Sequence, residues 1–134
     1  MIGGGLVGCE EGLALAMEGK DVTVLEMQEK LAPDAPILHL KAMMLEYEKR
    51  TENLHPYTEV TVTSIEDDGV HAKDKDGKEV IYPADTVLLS VGMRSKIDEV
   101  EKLRTNDAEF ITVGDCIKPG QDPAGSKRRI FCRE

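Results

Sequence analysis

The sequence has no excess of basic residues, and this shortage excludes one class of partner. Among its 134 residues, 17 are Lys or Arg and 26 are Asp or Glu, which gives a formal net charge of −9. Affinity for nucleic acids comes largely from basic groups that neutralise phosphates. We therefore expect no nucleic-acid partner.

Long apolar runs are also missing. No stretch approaches the roughly 20 apolar residues of a membrane-spanning helix, and the N-terminus lacks the basic-then-apolar pattern of a secretory signal. The 40% of apolar and 32% of charged residues are ordinary for a globular chain. We expect one folded domain, no membrane partner and a cytoplasmic location.

Cysteine and histidine are too scattered to suggest a metal site or a redox dithiol. The three cysteines contain no C-x-x-C pair and have no His at metal-ligand spacing: Cys9, Cys116 and Cys132. The three histidines fall in different predicted elements: His39, His55 and His71. We predict no metal ligand. Cys9 lies near a predicted helix N-terminus, which can make a thiol more acidic, but a buried packing role is favoured.

The most informative pattern occupies the first 26 residues. Gly3, Gly5 and Gly8 have the spacing G-x-G-x-x-G, and residues 6–17 then show helical periodicity. Gly19 is suited to end that helix, and the run 21–26 is typical of a buried parallel strand. The predicted buried face of the helix consists of Leu6, Cys9, Leu13, Ala16 and Met17.

Each glycine of this pattern has a physical reason if the ligand is a dinucleotide. Gly3 allows a tight strand-to-helix turn, Gly5 lets the backbone approach a pyrophosphate, and Gly8 lets the helix pack closely on the strand. The helix N-terminus adds unpaired N–H groups and a partial positive charge. The alternative is an ordinary glycine loop followed by a surface glutamate.

Glu26 ends the predicted strand 18 residues after Gly8, near the spacing of the dinucleotide fingerprint. Its carboxylate would accept hydrogen bonds from the adenosine ribose hydroxyls. A carboxylate there would repel a 2′-phosphate, so NADH is favoured over NADPH. Lys30 would soften this preference.

The middle of the chain predicts a second helix and a meander. Pro33 and Pro36 precede a helix from Ile37 to about Arg50. Its predicted core residues are Leu38, Met43, Met44 and Leu45, and its predicted solvent face is Glu46, Glu48, Lys49 and Arg50. Beyond Pro56 the pattern alternates, which predicts three antiparallel strands at 60–65, 70–73 and 79–82, joined by Asp- and Gly-rich turns.

Two further buried strands are predicted at residues 85–92 and 109–115, before a Gly/Pro-rich, basic tail at 120–134. The predicted fold is α/β, a Rossmann-like parallel sheet with a three-stranded antiparallel β-meander insertion. Its first strand is truncated to Met1 and Ile2. We predict an NADH-binding domain over residues 1–119 and a poorly ordered tail over residues 120–134.

The segment Gly3–Glu10 resembles the G-G-G-x-x-G-x-E motif of the NAD(P)H domain in pyridine nucleotide-disulfide oxidoreductases. The resemblance extends through the meander and residues 85–94 to residues 113–119. The stretches Gly92-Met93-Arg94 and Gly114–Pro119 are similar, more narrowly, to the C-terminal part of old-yellow-enzyme-type NADH:flavin oxidoreductases. Dienoyl-CoA reductases and enoate reductases belong to that group.

This resemblance implies a set of cofactor-binding residues and no catalytic one. It implies that Glu10 orients the nicotinamide end, although an exposed first-turn acid is the alternative. Val91 and Gly92 would wall the cofactor, or simply form a turn at a strand end. Asp115 would contact the flavin ribityl-phosphate region, or cap a helix. The full predicted set is Gly3, Gly4, Gly5, Leu6, Val7, Gly8, Glu10, Glu26, Met27, Val91, Gly92 and Asp115.

The resemblance also implies the function. This chain would position NADH for hydride transfer to FAD, which a neighbouring domain of the complete enzyme would hold. The family's FAD fingerprint precedes this domain and is not found in the sequence. The alternative is therefore a truncated or stand-alone non-catalytic dinucleotide-binding module without flavin. A homo-oligomer could form through an incomplete sheet edge beside Met1 and Ile2.

Overall fold

The computed structural model describes residues 1–102, which fall into two compact units: the first is Met1–Gly92, and the second begins at Met93. The first unit contains α1 (Leu6–Met17), β1 (Val22–Leu25), α2 (Ile37–Glu48), β2 (Leu54–Tyr57), β3 (Thr61–Glu66), β4 (Gly69–Lys73) and β5 (Glu79–Tyr82). The second unit contributes one short helix to the described residues, α3 (Ile97–Lys102). The predicted strand 109–115 and the predicted tail lie outside the described residues.

None of the three helices within residues 1–102 has the length and apolar character that a bilayer crossing requires.

A small parallel sheet lies at the centre of the first unit. β1 and β2 are parallel, with Val22 opposite Leu54. On the opposite side of β1, Ile2 forms parallel bridges to both Leu25 and Leu89. The spatial order β2, β1, Ile2, Leu89 requires crossover connections, which is the Rossmann-like arrangement that the sequence predicted. The short first strand is confirmed, since Ile2 supplies its bridges.

The bridges at Ile2 correct one premise of the sequence analysis. The Ile2 amide donates to the Leu88 carbonyl over 2.8 Å, and the Ser90 amide donates to the Ile2 carbonyl over 2.7 Å. On the other side, the Leu25 amide donates to the Met1 carbonyl. Because both sides are paired, there is no open sheet edge beside Met1 and Ile2. The predicted oligomer stays a prediction without that support.

β1 is buried on both faces. Successive side chains of a strand point to opposite faces of its sheet, so Val24 and Leu25 enter two different apolar clusters. The helix-side cluster contains Cys9, Ala16, Val22, Val24, Ala32, Met43, Tyr47 and Leu54. The meander-side cluster contains Ile2, Leu25, Val60, Val70 and Ala72.

The three-stranded antiparallel meander is confirmed, with β4 between β3 and β5. Its turns use glycine where the backbone needs it: Gly69 has φ +135° and Gly77 has φ +78°. Other residues rarely adopt these values. Local turn chemistry therefore predicted this part of the fold well.

The buried face of α1 agrees with the prediction at Cys9 and Ala16 and differs from it at Met17. Met17 is 63% exposed, and the residues that face the sheet are the small ones: Gly8, Cys9, Gly12 and Ala16. A Cβ at Gly12 would lie 3.0 Å from Val24 Cγ2. The helix packs so closely on β1 that small residues occupy the contact, and large apolar side chains are displaced to its margins.

The predicted core of α2 is also partly wrong. Leu38 and Leu45 are 79% and 57% exposed, whereas Met43 is buried as predicted and Tyr47 is buried without having been predicted. The helix ends at Glu48, two residues earlier than expected. Arg50 is half-buried and donates from Nη1 to Glu46 Oε2 over 2.6 Å. Both side chains stay partly exposed as they pair, which is compatible with the predicted solvent face at Glu46 and Arg50.

The segment 85–92 is not the buried strand that the sequence predicted. Leu88, Leu89 and Val91 are 42%, 65% and 71% exposed. Within the described residues, the segment joins the sheet through a single bridge, between Leu89 and Ile2. Among residues 1–102, the sheet pairing of this segment comes from Ile2. Ile2 alone cannot extend the pairing along the whole apolar run.

Two leucine truncations test this account of the core. Leu54 is 2% exposed inside the helix-side cluster, and Leu45 is 57% exposed on α2. We expect Leu54→Ala to lower the free energy of unfolding by about 2–5 kcal/mol because it leaves a cavity. Leu45→Ala should change it by less than about 1 kcal/mol. Urea denaturation followed by circular dichroism measures both, and equal losses would contradict the assignment.

Candidate functional site

The strand-to-helix turn is closed by contacts that only glycine permits. Gly3 has φ +101°, and a Cβ there would lie 2.2 Å from the Ser90 carbonyl oxygen. A Cβ on Gly8 would lie 2.0 Å from the Gly3 carbonyl oxygen. Both distances are far below any real Cβ contact. The turn, the first turn of α1 and the backbone at Ser90 are therefore packed against one another without side chains between them.

Gly5 is different, because nothing among residues 1–102 requires it to be glycine. It precedes α1 as the N-cap, with φ −66° and ψ 177°, values that other residues adopt readily. A Cβ built on Gly5 would meet nothing within 4 Å. The space beside this backbone is open, so a ligand can approach the main chain closely there.

The N-terminus of α1 has features that favour binding of an anion. No side chain within the described part of the chain caps the helix, and its first turn contains no acidic residue. The first amides of a helix have no intrahelical acceptor and carry the positive end of the helix dipole. Leu6 and Val7 begin the helix directly after Gly5. Together these residues form the kind of backbone cradle that binds phosphate groups.

Glu26 follows β1 and faces this turn from the sheet. It is only 7% exposed. Its Oε2 accepts from the Gly4 amide over 2.6 Å, and its Oε1 accepts from the Gln28 amide over 2.7 Å. The alternative interpretation as a surface glutamate is therefore wrong. Met27, which comes next, is 71% exposed.

Gly4 is buried between α1 and the loop after β1. Its carbonyl accepts from the Ala32 amide over 2.7 Å and from Cys9 Sγ over 3.2 Å. A Cβ on Gly4 would lie 2.6 Å from Leu31 Cδ2 and 2.8 Å from Glu26 Cβ. The loop after β1 therefore closes over the glycine turn.

Cys9 and Tyr47 fix the helix pair beneath the site. The Tyr47 hydroxyl donates to the Cys9 carbonyl over 2.9 Å. Cys9 is fully buried, and burial raises the pKa of its thiol above the ordinary value. The predicted packing role is confirmed, because a buried thiol with a raised pKa is a poor nucleophile. Burial likewise raises the pKa of Tyr47.

Glu10 lies on the side of α1 that faces α2. Its Oε1 is 2.9 Å from His39 Nε2, and both side chains are about half exposed. They border a shallow groove of about 340 Å³ between the two helices. Sequence reasoning did not anticipate this partner. The alternative of a first-turn acid is wrong, because α1 begins at Leu6 and its first turn contains no acidic residue. The role of Glu10 toward a nicotinamide ring stays a prediction.

Val91 and Gly92 end the apolar segment next to the glycine turn. Val91 is exposed, and Gly92 has φ +85° with open space around it. The neighbouring Ser90 backbone contacts Gly3, so the end of this segment lies beside the candidate site. Both a wall for the cofactor and a simple turn fit this geometry. Asp115 lies outside the described residues.

One cluster was missed by the sequence analysis. Glu66, Asp68 and His71 meet at the β3–β4 turn, with candidate ligand atoms within 4.8 Å of one another. His71 Nε2 lies 2.7 Å from Asp68 Oδ1, and this hydrogen bond raises the pKa of His71. The two carboxylates are exposed. The predicted meander already joined these two strands, but their register, with Ser64 opposite His71, was needed to bring the three residues together.

The burial of Cys9 generates a test with a clear direction. Because its pKa is raised, the thiolate fraction at a given pH is smaller than for an ordinary cysteine. We expect iodoacetamide at neutral pH to modify Cys9 slowly in the folded chain and quickly in guanidinium chloride. Mass spectrometry of the peptide that contains Cys9 measures both rates. Equal rates would show that the thiol is accessible.

Comparisons with known proteins agree with this geometry. Residues 1–123 match the family described as pyridine nucleotide-disulphide oxidoreductase. The bilirubin reductase of Mediterraneibacter gnavus is 35% identical over 122 residues, which are 91% of this chain and 19% of that protein. The NADH oxidase of Thermoanaerobacter brockii is 34% identical over 122 residues, which are 90% of this chain and 18% of that protein.

A solved structure of 2-naphthoyl-CoA reductase in complex with 2-naphthoyl-CoA superposes with a TM-score of 0.76 at 30% identity. The match covers 90% of this chain and 18% of that one. The chain thus spans less than a fifth of the length of each of these relatives. The family match over most of the sequence, together with the glycine turn at the end of a Rossmann-like sheet, shows that the chain belongs to the pyridine nucleotide-disulphide oxidoreductase family.

Proposed function

We propose that this chain binds NADH and positions it for hydride transfer to FAD held by a neighbouring domain. The observation that carries the proposal is the open space at Gly5, directly before an uncapped helix N-terminus. Within the glycine turn, Gly3 and Gly8 are explained by packing inside the protein, whereas Gly5 is not. An approaching pyrophosphate explains it.

The residues of this turn fit the pyrophosphate of NADH. Gly5, Leu6 and Val7 would face it with backbone N–H groups and the positive end of the α1 dipole. Gly4 would support this turn from within, because its own amide donates to Glu26. Such a cradle needs no basic side chain. The net charge of −9 therefore does not oppose binding of an anionic cofactor.

Glu26 supports NADH as the preferred nucleotide. Its buried carboxylate would accept from the adenosine ribose hydroxyls, since each oxygen retains acceptor capacity beyond its one bond to the backbone. A 2′-phosphate would bring negative charge against this group. Lys30 is exposed and would offset the repulsion only weakly.

The remaining predicted residues would act at the other end of the cofactor. Bound NADH supplies the hydride, and the chain supplies placement. Glu10 would orient the nicotinamide half, and Val91 and Gly92 would border it. We propose residues 1–119 as the NADH-binding domain, with Asp115 directed to the flavin, and a cytoplasmic location.

The relatives suggest the kind of complete enzyme. Their names include a bilirubin reductase, an NADH oxidase and a 2-naphthoyl-CoA reductase. We propose that the parent protein is an FAD-dependent oxidoreductase of the old-yellow-enzyme type, and that this chain is its C-terminal reductase part.

A non-catalytic dinucleotide-binding module is the second candidate. It is favoured by the limited pairing between β1 and Leu89, which Ile2 alone bridges among the described residues. Such a module would bind the dinucleotide weakly and hold no flavin.

Two glycine substitutions test the proposed site. We expect Gly5→Ala to fold normally, since its backbone angles are ordinary and its surroundings open, but to weaken NADH binding about ten-fold or more. Gly77→Ala is the matched control. It should lower stability by roughly 1–2 kcal/mol because Gly77 has φ +78°, and it should leave NADH binding unchanged.

Isothermal titration calorimetry with NADH and NADPH provides the readout for both variants and the unmodified chain. We expect tighter binding of NADH. Failure of the folded chain to bind either nucleotide would refute the proposed function. A preference for NADPH would refute only the argument from Glu26.

Reconstitution tests whether this chain alone supports flavin chemistry. FAD is added to the purified chain, which is desalted and examined for a visible flavin spectrum. We expect no retained flavin, because the residues that we propose to bind nucleotide are committed to NADH. Retained flavin that is bleached by NADH would exclude the non-catalytic module and would show that the chain alone is active.

A further inference from the structure

We propose that Glu26 is a positioning residue for the glycine turn. Its carboxylate holds the Gly4 amide and thereby fixes the backbone that receives the pyrophosphate. This inference rests on the proposed function and goes beyond it, because Glu26 was predicted only to contact ribose hydroxyls. One buried carboxylate would then serve both the ribose and the pyrophosphate of the adenosine half.

The carboxylate of Glu26 binds two backbone amides at once. Its two oxygens accept from the Gly4 and Gln28 amides over 2.6 and 2.7 Å. Hydrogen bonds between a backbone N–H and an ionised carboxylate are shorter and about twice as strong as neutral ones. With Glu26 only 7% exposed, water competes little for these bonds.

Glu26 is itself held rigidly by hydrogen bonds of its own backbone. Its amide donates to the Tyr57 carbonyl over 2.9 Å, and its carbonyl accepts from the Val60 amide over 2.9 Å. These bonds attach its backbone to the end of β2 and to the chain leading into the meander. The carboxylate therefore projects from a fixed point of the sheet. A group that orients another must be supported in this way.

The backbone connects Gly4 directly to the proposed binding surface. Gly4 is bonded directly to Gly5, whose carbonyl accepts from the Cys9 amide over 2.9 Å in the first turn of α1. Any movement of the Gly4 amide would shift Gly5 and the start of the helix. Holding Gly4 thus preorganises the turn before a ligand arrives, which reduces the cost of binding.

A glutamine at position 26 cannot reproduce this arrangement. Both partners of the carboxylate are N–H donors, so both oxygens must accept. A side-chain amide has one accepting oxygen and one NH₂ group that only donates. Glu26→Gln therefore leaves one of the two backbone amides facing another donor while preserving side-chain volume.

The test compares two diphosphates that differ only at the ribose. ADP carries the 2′- and 3′-hydroxyls, and 2′,3′-dideoxyadenosine 5′-diphosphate lacks both. Calorimetry with the full 134-residue chain gives Kd for each ligand. We expect Glu26→Gln to weaken both ligands by about ten-fold, because the loss arises at the diphosphate. Glu29→Gln is the control on the same loop; Glu29 is exposed, and Kd should not change.

The outcomes separate this inference from the proposed function. If Glu26→Gln weakens ADP but leaves the dideoxy ligand unchanged, Glu26 acts on ribose alone and the positioning role is wrong. If neither ligand is affected, the positioning role is also wrong, although the site stands. If the folded, unmodified chain binds neither ADP nor NADH, the proposed function fails and this inference fails with it.

A second variant covers the case in which Glu26→Gln does not fold. Glu26→Asp keeps the charge and withdraws the carboxylate by one methylene. We expect the Gly4 amide proton to move upfield in a ¹H–¹⁵N spectrum as its short hydrogen bond is lost, with the dideoxy ligand weakened in parallel. An unchanged Gly4 resonance in a folded Glu26→Asp chain would overturn the proposal.

Discussion

The close approach of α1 to the parallel sheet is the constraint on which the rest of the first unit depends. At Gly3, Gly8 and Gly12 a Cβ would lie 2.2, 2.0 and 3.0 Å from its nearest neighbours, so the helix rests on backbone and on β1. No other residue type permits contact at Gly3 and Gly8. This approach places the N-terminus of α1 at the carboxyl end of β1, where Glu26 emerges. The position of the candidate site therefore follows from how α1 packs on the sheet. The charges at the site, those of Glu26 and of the helix dipole, are brought together by this packing.

The same constraint decides which apolar residues are buried. Since small residues occupy the helix–sheet contact, large side chains fill the margin between α1 and α2, where Met43 and Tyr47 enter the cluster. Tyr47 joins the two helices through its bond to the Cys9 carbonyl. The buried thiol of Cys9 in turn donates to the Gly4 carbonyl. The packed core beneath the glycine turn is thus connected to the turn by hydrogen bonds through Tyr47 and Cys9.

Sequence patterns predicted those parts of the fold that depend on residues close together in the chain. The G-x-G-x-x-G turn, the first helix and strand, and the meander with Gly69 and Gly77 all follow from residues close together in the sequence. Burial of Tyr47 could not be predicted in this way, because its partner carbonyl lies 38 residues earlier in the chain. The exposure of Met17 was missed since helical periodicity identifies a face by large apolar residues, whereas here glycine and alanine mark it. Glu26 was identified by its spacing, but its two backbone bonds appear only when the chain is folded.

A buried carboxylate beside a proposed diphosphate site would repel the ligand. Backbone N–H groups reduce this repulsion. The negative charge of Glu26 is directed at the Gly4 and Gln28 amides, so part of it is already compensated by N–H dipoles. The diphosphate would meet different amides, those at Gly5 and the start of α1, together with the positive end of the helix dipole. Adjacent amides of one turn can therefore serve two anions, one belonging to the protein and one to the ligand. A third negative group at the ribose 2′ position would find no amide left to receive it on the Glu26 side, which is the physical basis for expecting NADH in preference to NADPH.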